Sequence, residues 1–94
     1  MEYIYIFLNE ENETAFAMCD KSLEIDPAHY HAISTKGYIY NHEGRHEEAL
    51  SLYQEALNIE PDDIHTLNNR GYSLNLIGNY LEAIQDFNRV LELD

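Results

Sequence analysis

The chain repeats itself every 34 residues, and this period constrains the fold more than any other feature of the sequence. When the 94 residues are displaced by 34 positions, identical residues coincide at Pro27 and Pro61, Gly37 and Gly71, Gly44 and Gly78, His31 and His65, and Tyr38 and Tyr72. From residue 30 to residue 60, eight of the 31 aligned pairs are identical, against about two expected by chance from ordinary composition. A period of this length indicates stacked helical hairpins, in which each unit buries its apolar face against the next.

Each unit of the repeat is predicted to contain two helices with a glycine turn between them. The spacing of apolar residues predicts helices over 28–42 and 46–59 in one unit, and over 63–77 and 80–93 in the next. Pro61 cannot continue the helix before it, and either of the two aspartates that follow can cap the next one.

Two glycines interrupt the first helix of these units, where glycine costs about 1 kcal/mol relative to alanine. We interpret them as points of close helix approach. The expected counterparts of Gly37 and Gly71 are Ala49 and Ala83, with Tyr53 and Phe87 filling the space between hairpins.

Taken together, these positions resemble the tetratricopeptide repeat. The resemblance rests on Asn69 to Tyr72, Gly78 to Ile84, Phe87 and Val90 to Asp94, and on their counterparts Gly37, Tyr40, Gly44, Glu48 to Leu50, Tyr53, Ala56, Leu57 and Pro61. It implies an all-α, right-handed α-solenoid of antiparallel helix-turn-helix hairpins, with about two and a half repeats. Residues 1–94 are then a single domain, with a partial unit over 1–29, a unit over 30–63 and a unit over 64–94 that lacks its last residues. Lys36 and Arg70 stand where the family often has leucine.

The amino-terminal segment gives weaker signals. Residues 3–6 alternate in polarity, but we interpret them as helical because they occupy the first-helix position of a preceding unit. The apolar run has no basic segment before it and no small-residue cleavage site after it, so it is a poor signal peptide. It is also too short to span a bilayer.

Charge and cysteine usage bound the possible partners. There are 18 acidic residues against five lysines and arginines, a net charge of −13, which disfavours nucleic acid and anionic membranes because both require clustered cations. A neutral or basic protein or peptide is the expected partner. In the simpler interpretation, the acidic residues form only a solvated outer surface. The single cysteine, Cys19, shares the register of Tyr53 and Phe87 and is expected to be a buried, inert filler. The absence of a disulfide framework favours a reducing compartment, and we expect the cytoplasm.

The resemblance also implies where a ligand would bind, because the concave face of such a stack, formed by the first helix of each unit, is the usual peptide-binding groove. The residues expected there are His31, Thr35, Tyr38, Asn41, His42, His65, Asn69, Tyr72 and Asn75, with Ser34, Asn68 and Leu76 in the same register. Asparagine amides both donate and accept hydrogen bonds, and tyrosines provide contact area at little entropic cost. In the alternative interpretation, Tyr38 and Tyr72 only pack between neighbouring helices.

One subclass of the family binds the terminal carboxylate of its ligand with lysine, arginine and asparagine. The corresponding positions here are Thr35, His65 and Asn69, or Ile4 further up the stack. Only Asn69 fits, so a carboxylate clamp is not expected.

Catalytic, metal and cofactor sites are not indicated by the sequence. His29 and His31 are two residues apart, and His42 and His46 are four apart, but a glycine lies between the second pair and no cysteine is nearby. These spacings do not form a coherent ligand set. Carboxylates are scattered, and nothing resembles a nucleophile elbow or a phosphate loop. We expect a binding protein without enzymatic activity, bound metal or cofactor.

Two further functions remain open. Terminal repeats usually need a polar capping helix, and none follows the last helix, so Ile84, Phe87 and Leu91 are expected to lack a partner. The chain could therefore be a self-assembly element that stacks end to end. It could also be the adaptor part of a larger enzyme or regulator.

Overall fold

A computed structural model describes the backbone of residues 2–94 and the side chains of residues 12–94. This part of the chain forms five α-helices and no strand: α1 (Glu2–Ile25), α2 (Tyr30–His42), α3 (His46–Ile59), α4 (Ile64–Leu76) and α5 (Tyr80–Leu93). The all-α helical repeat predicted from the 34-residue period is confirmed. The predicted bounds of the second helix in both units, 46–59 and 80–93, coincide with α3 and α5.

Within each complete unit the chain reverses at a glycine. Gly44 and Gly78 have φ values of 81° and 89°, a backbone conformation that side chains with a β-carbon rarely adopt. These turns pack α2 against α3 and α4 against α5, and the resulting hairpins then pack through α3 and α4. The predicted helix-turn-helix units are therefore present over residues 30–93.

The amino-terminal unit differs from the expectation of a separate first helix. The backbone of α1 is continuous from residue 2 to residue 25, whereas a copy of the other units would turn near Glu10. The physical reason is that Glu10 aligns with Gly44 and Gly78, and a residue with a β-carbon has no preference for the left-handed turn. In the partial unit, α1 packs on α2 as α3 packs on α4.

The mid-helix glycines are points of close helix approach, as expected, and the nearest atoms to both belong to aromatic rings. A β-carbon built on Gly37 would lie 2.7 Å from Tyr53 Cε1, and 3.3 Å from the backbone oxygen of Ala49. On Gly71 it would lie 2.7 Å from Cε1 of Phe87. Each ring therefore lies on the glycine of its own hairpin. A glycine has no side chain, so its surface accepts a whole ring. The expectation that these rings also fill the space between hairpins stays a prediction.

Helices α2 and α4 are joined by two hydrogen bonds between side chains. The Thr66 hydroxyl, whose single hydrogen goes to the Asp63 carboxylate, is hydrogen-bonded to the Ser34 hydroxyl at 2.8 Å. Ser73 Oγ donates to the Asn41 side-chain oxygen at 2.9 Å. Thr66 and Ser73 are seven residues apart on α4, and Ser34 and Asn41 are seven apart on α2, so each pair lies on one face of its helix. Helix α2 contacts α4, whereas α3 and α5 make no such contact with each other in the described part of the chain. The side formed by α2 and α4 is therefore the inner side of the curved stack.

Two cationic side chains form ion pairs between neighbouring helices, Lys36 between α2 and α1 and Arg70 between α4 and α5. Arg70 donates two hydrogen bonds to the buried Asp86 carboxylate, at 2.8 and 2.7 Å, and one to Gln54 at 3.0 Å. Lys36 lies 2.8 Å from Asp20 and over the Phe16 ring, 4.7 Å from its centroid. These are the positions where leucine is common in similar repeats, and ion pairs replace its apolar contacts here.

Candidate functional site

The inner side of the stack contains a cavity of about 380 Å³ between α2 and α4. It is lined by Tyr38, Asn41, His42, Tyr53, Asn69, Tyr72 and Leu76. A cavity of this size lies within the range of about 300–1,000 Å³ that is usual for small-ligand sites. Five of the nine residues predicted for the groove are brought together here.

The walls of the cavity are aromatic and partly open to solvent. The Tyr38 ring makes an edge contact with His42, with 4.5 Å between the ring centroids. Tyr38 is 48% exposed and Tyr72 is 56% exposed. Rings that served only to pack between helices would be buried, so this exposure favours the groove interpretation over the packing one.

The two asparagines of the cavity differ in what they can offer a ligand. The side-chain oxygen of Asn41 accepts a hydrogen bond from Ser73 and is also paired with His46 Nδ1, which leaves only its amide N–H groups free. Asn69 is half-buried and, within the described part of the chain, its side chain has no hydrogen-bond partner. Asn69 can therefore donate and accept, whereas Asn41 can only donate.

Tyr53 lines the cavity from α3, although the sequence pattern assigned it to the core. The side chain is fully buried, and its hydroxyl has no hydrogen-bond partner within the described residues. Burial raises the pKa of Tyr53 to about 12. The Ser73 hydroxyl lies close enough to lower that pKa a little, but it donates to Asn41 instead. The register of Tyr53 with Phe87 and Cys19 indicated only a packing role, so no sequence signal marked this polar atom.

The other predicted groove residues lie outside the cavity. Thr35 Oγ1 donates to the backbone oxygen of His31 at 2.8 Å, and His31 has a ring contact with His29 at 6.4 Å. No ring contact joins His31 to His65 among the described residues. His65 and Asn75 are exposed.

Ser34, which shares the groove register, does not face the groove. It is buried, and its hydroxyl is hydrogen-bonded to that of Thr66 between α2 and α4. The hydroxyl thus belongs to the helix interface, because a buried polar group is retained where it finds a partner.

The residues that line this cavity include no lysine, arginine, aspartate or glutamate. The only lysine or arginine of α2 is Lys36, and the only one of α4 is Arg70. Both are engaged with carboxylates outside the cavity. No cluster of three or more histidine, cysteine or acidic side chains suited to a metal ion occurs among the described residues.

A second cavity of about 290 Å³ lies between α1 and α2. Phe16 and Tyr40 contact each other there, with 5.2 Å between centroids, and the Arg45 guanidinium lies 4.3 Å from the Tyr40 centroid. Three carboxylates, of Glu13, Asp20 and Glu43, share this cavity. The sequence did not indicate it as a site.

The repeat and its helical hairpins agree with the comparison to known families. A sequence model of the tetratricopeptide repeat matches residues 28–94, and the chain belongs to this family. No curated protein matches the chain in sequence.

Solved structures of tetratricopeptide repeat proteins are similar in fold. The crystal structure of MamA is 23% identical, with a TM-score of 0.80, over 93% of this chain and 51% of that one. The first repeat domain of Spaghetti (RPAP3), bound to the HSP90 peptide SRMEEVD, is 22% identical, with a TM-score of 0.84, over 94% of this chain and 70% of that one. Its second repeat domain, bound to the same peptide, is 24% identical, with a TM-score of 0.83, over 94% and 82%. This chain spans about half the length of the MamA chain.

In the described part of the chain, none of the helices combines the length and the apolar character needed to cross a bilayer.

Proposed function

We propose that this protein is an interaction scaffold that binds a peptide segment of a partner protein on its inner face, between α2 and α4. The cavity there carries the proposal, because it combines two half-exposed tyrosines with the unpartnered amide of Asn69. Aromatic rings bury area at little entropic cost, and a free amide pairs with a peptide group in either direction. The outer parts of the groove would include His31, Thr35, His65 and Asn75.

The proposed partner is neutral or basic. The RPAP3 domains bind an HSP90 peptide that carries several carboxylates. Binding such a peptide requires cations, but Lys36 and Arg70 are already paired with Asp20 and Asp86. The net charge of −13 would also repel an acidic segment. We place the protein in the cytoplasm and assign it no catalytic reaction.

A peptide library displayed on phage and selected on the immobilised protein tests this function. Selected peptides should lose at least about ten-fold in affinity to Tyr38→Ala, Tyr72→Ala and Asn69→Ala, while circular dichroism shows unchanged helix content. Tyr80→Ala is the matched control, because Tyr80 is 60% exposed on α5 and lies outside the cavity. Peptides that bind all three groove variants as tightly as the wild type would refute the groove assignment.

Self-association is the second candidate, and the exposed apolar face of α5 favours it. Leu81 is 79% exposed, Ile84 is 53% exposed and Leu91 is 73% exposed. Leu57, which has the register of Leu91, is only 6% exposed on α3, where α4 packs. Ile84 and Leu91 are therefore available for contact with a second copy of the protein.

Phe87, which was expected to be exposed with them, is half-buried because its ring lies on Gly71.

Sedimentation velocity over a concentration series tests self-association. A mass that rises with concentration, and that Leu91→Lys returns to that of a monomer, would support it. A monomer at every concentration would exclude it.

A further inference from the structure

We propose that the cavity between α2 and α4 is a subsite for an uncharged carboxamide side chain, glutamine or asparagine, of the partner peptide, with the Tyr53 hydroxyl as its deepest hydrogen-bonding group. The proposal rests on the function proposed above and adds the chemistry that this part of the groove selects. The sequence register assigned Tyr53 to packing alone.

The unpartnered hydroxyl of Tyr53 is the first observation. The ring is explained by its contact with Gly37, and phenylalanine, which stands at the equivalent position 87, would make the same contact. The hydroxyl has no such explanation, since it is buried without a partner among the described residues. A buried polar group without a hydrogen bond is costly to a fold. A ligand oxygen that accepts from this hydroxyl would remove that cost.

The orientation of the asparagines is the second observation. Ser73 and His46 hold the Asn41 oxygen, so the Asn41 amide presents N–H donors, beside the free amide of Asn69. The cavity thus offers more donors than acceptors, but not donors alone. A carboxamide matches this set, because its oxygen accepts two hydrogen bonds while its NH₂ group donates to the Asn69 oxygen.

Charged side chains match the cavity poorly. A carboxylate cannot donate to Asn69, and it would enter a strongly acidic protein at a place where both nearby cations are already paired. A lysine ammonium cannot accept from Tyr53 or Asn41. An aliphatic side chain would fill the space but leave all three polar groups without partners.

The side walls of the cavity suit the methylene groups of a glutamine side chain. Tyr38, Tyr72 and Leu76 line the cavity and are each about half exposed, so they can enclose the methylene groups. The Tyr53 oxygen is closed to solvent, so the proposal includes a rotation of one of the half-exposed cavity side chains that opens the oxygen to the ligand. Rotation of exposed side chains is fast, on the order of nanoseconds.

The model compounds N-acetyl-glutamine methylamide, its glutamate and lysine counterparts, and the norleucine counterpart test the subsite directly. Chemical shifts of the Asn41 and Asn69 side-chain amides report binding to the ¹⁵N-labelled protein. We expect the glutamine compound to bind at least about five-fold more tightly than the other three, which corresponds to one hydrogen bond. Equal binding of all four compounds would mean that the main-chain amides alone are recognised, and it would overturn the side-chain assignment.

The Tyr53→Phe variant removes one oxygen atom and keeps the ring on Gly37. It should weaken the glutamine compound by about three- to ten-fold and leave the norleucine compound unchanged. In the absence of ligand, its urea midpoint should equal or exceed that of the wild type, because no hydrogen bond is lost. A hydroxyl with a structural role would give a lower midpoint, and an unchanged glutamine affinity would overturn the proposal.

Peptide selection separates this proposal from the function on which it rests. A library that yields groove-binding peptides without glutamine or asparagine, and whose binding is indifferent to Tyr53→Phe, would refute the subsite and leave the scaffold function intact. If peptides carrying glutamine or asparagine at one position dominate the selection, the subsite is supported. A library that yields no groove-binding peptide would refute both.

Discussion

A β-carbon on Gly37 would lie 2.7 Å from Cε1 of Tyr53, closer than non-bonded carbon atoms approach in folded proteins. Because Tyr53 is fully buried, its ring cannot move aside. We therefore predict that Gly37→Ala destabilises the protein by about 1–2 kcal/mol, the cost of overpacking less the gain in helix propensity. Urea unfolding followed by circular dichroism measures the change.

Two comparisons check the cause. Gly71→Ala should cost less, because Phe87 is only half-buried and can shift. In a Tyr53→Leu background, Gly37→Ala should become neutral or stabilising, since the ring is gone. An equal cost in both backgrounds would show that the ring is not responsible.

Alkaline pH should destabilise the fold through Tyr53. Its pKa is raised by burial from 10 to about 12 in the folded protein. The stabilisation of the neutral phenol is therefore complete below pH 10, and it is lost as the pH rises from 10 towards 12. The loss amounts to about 3 kcal/mol for two pH units. Stability curves of the wild type and Tyr53→Phe should diverge only above pH 10, and curves that stay parallel would contradict the prediction.

The stability that the Arg70–Asp86 ion pair gives the fold should require both partners. The Asp86 side chain is 7% exposed and that of Arg70 is 23% exposed, so Arg70→Met leaves a buried carboxylate without its cation. We expect a loss of about 2–3 kcal/mol, somewhat below the value for a fully buried pair. The double variant Arg70→Met with Asp86→Leu should recover most of it, because Leu52 occupies the equivalent position of the preceding hairpin. A double variant as unstable as the single one would contradict this explanation.

The Cys19 thiol should be unreactive in the folded protein. It is buried, and burial, followed by the Asp20 carboxylate, raises its pKa. Because the thiolate is the reactive species, labelling by a disulfide reagent at pH 8 should be at least about 100-fold slower in buffer than in 8 M urea. Similar rates in the two solvents would mean that the contact between α1 and α2 opens readily.

The fold could be predicted from the sequence because the residues that mark its turns and helix faces recur every 34 positions. The coincidence of Gly44 with Gly78 located the turns, and the apolar spacing located α3 and α5 to the residue. The continuity of α1 was not predicted, although the sequence contains its signal: Glu10 stands at the position where Gly44 and Gly78 make the turns.

The candidate site was only partly predictable. A helix register assigns a residue to a face, and this sufficed for Tyr38, Asn69 and Tyr72. It cannot show that Ser73 and His46 hydrogen-bond to the side-chain oxygen of Asn41. Nor can it show that Tyr53 of α3 lines the cavity between α2 and α4. Both facts depend on side-chain contacts between elements that are distant in sequence.

The hydrogen bonds of Ser34 with Thr66 and of Asn41 with Ser73 have a mechanical consequence. A single contact would let one hairpin pivot about it, whereas two contacts, two helical turns apart, fix a line. A change in the angle between α2 and α4 would break at least one of these hydrogen bonds, of which the first is buried and the second part-buried. These two hydrogen bonds therefore oppose changes in the distance between α2 and α4, which sets the width of the inner face.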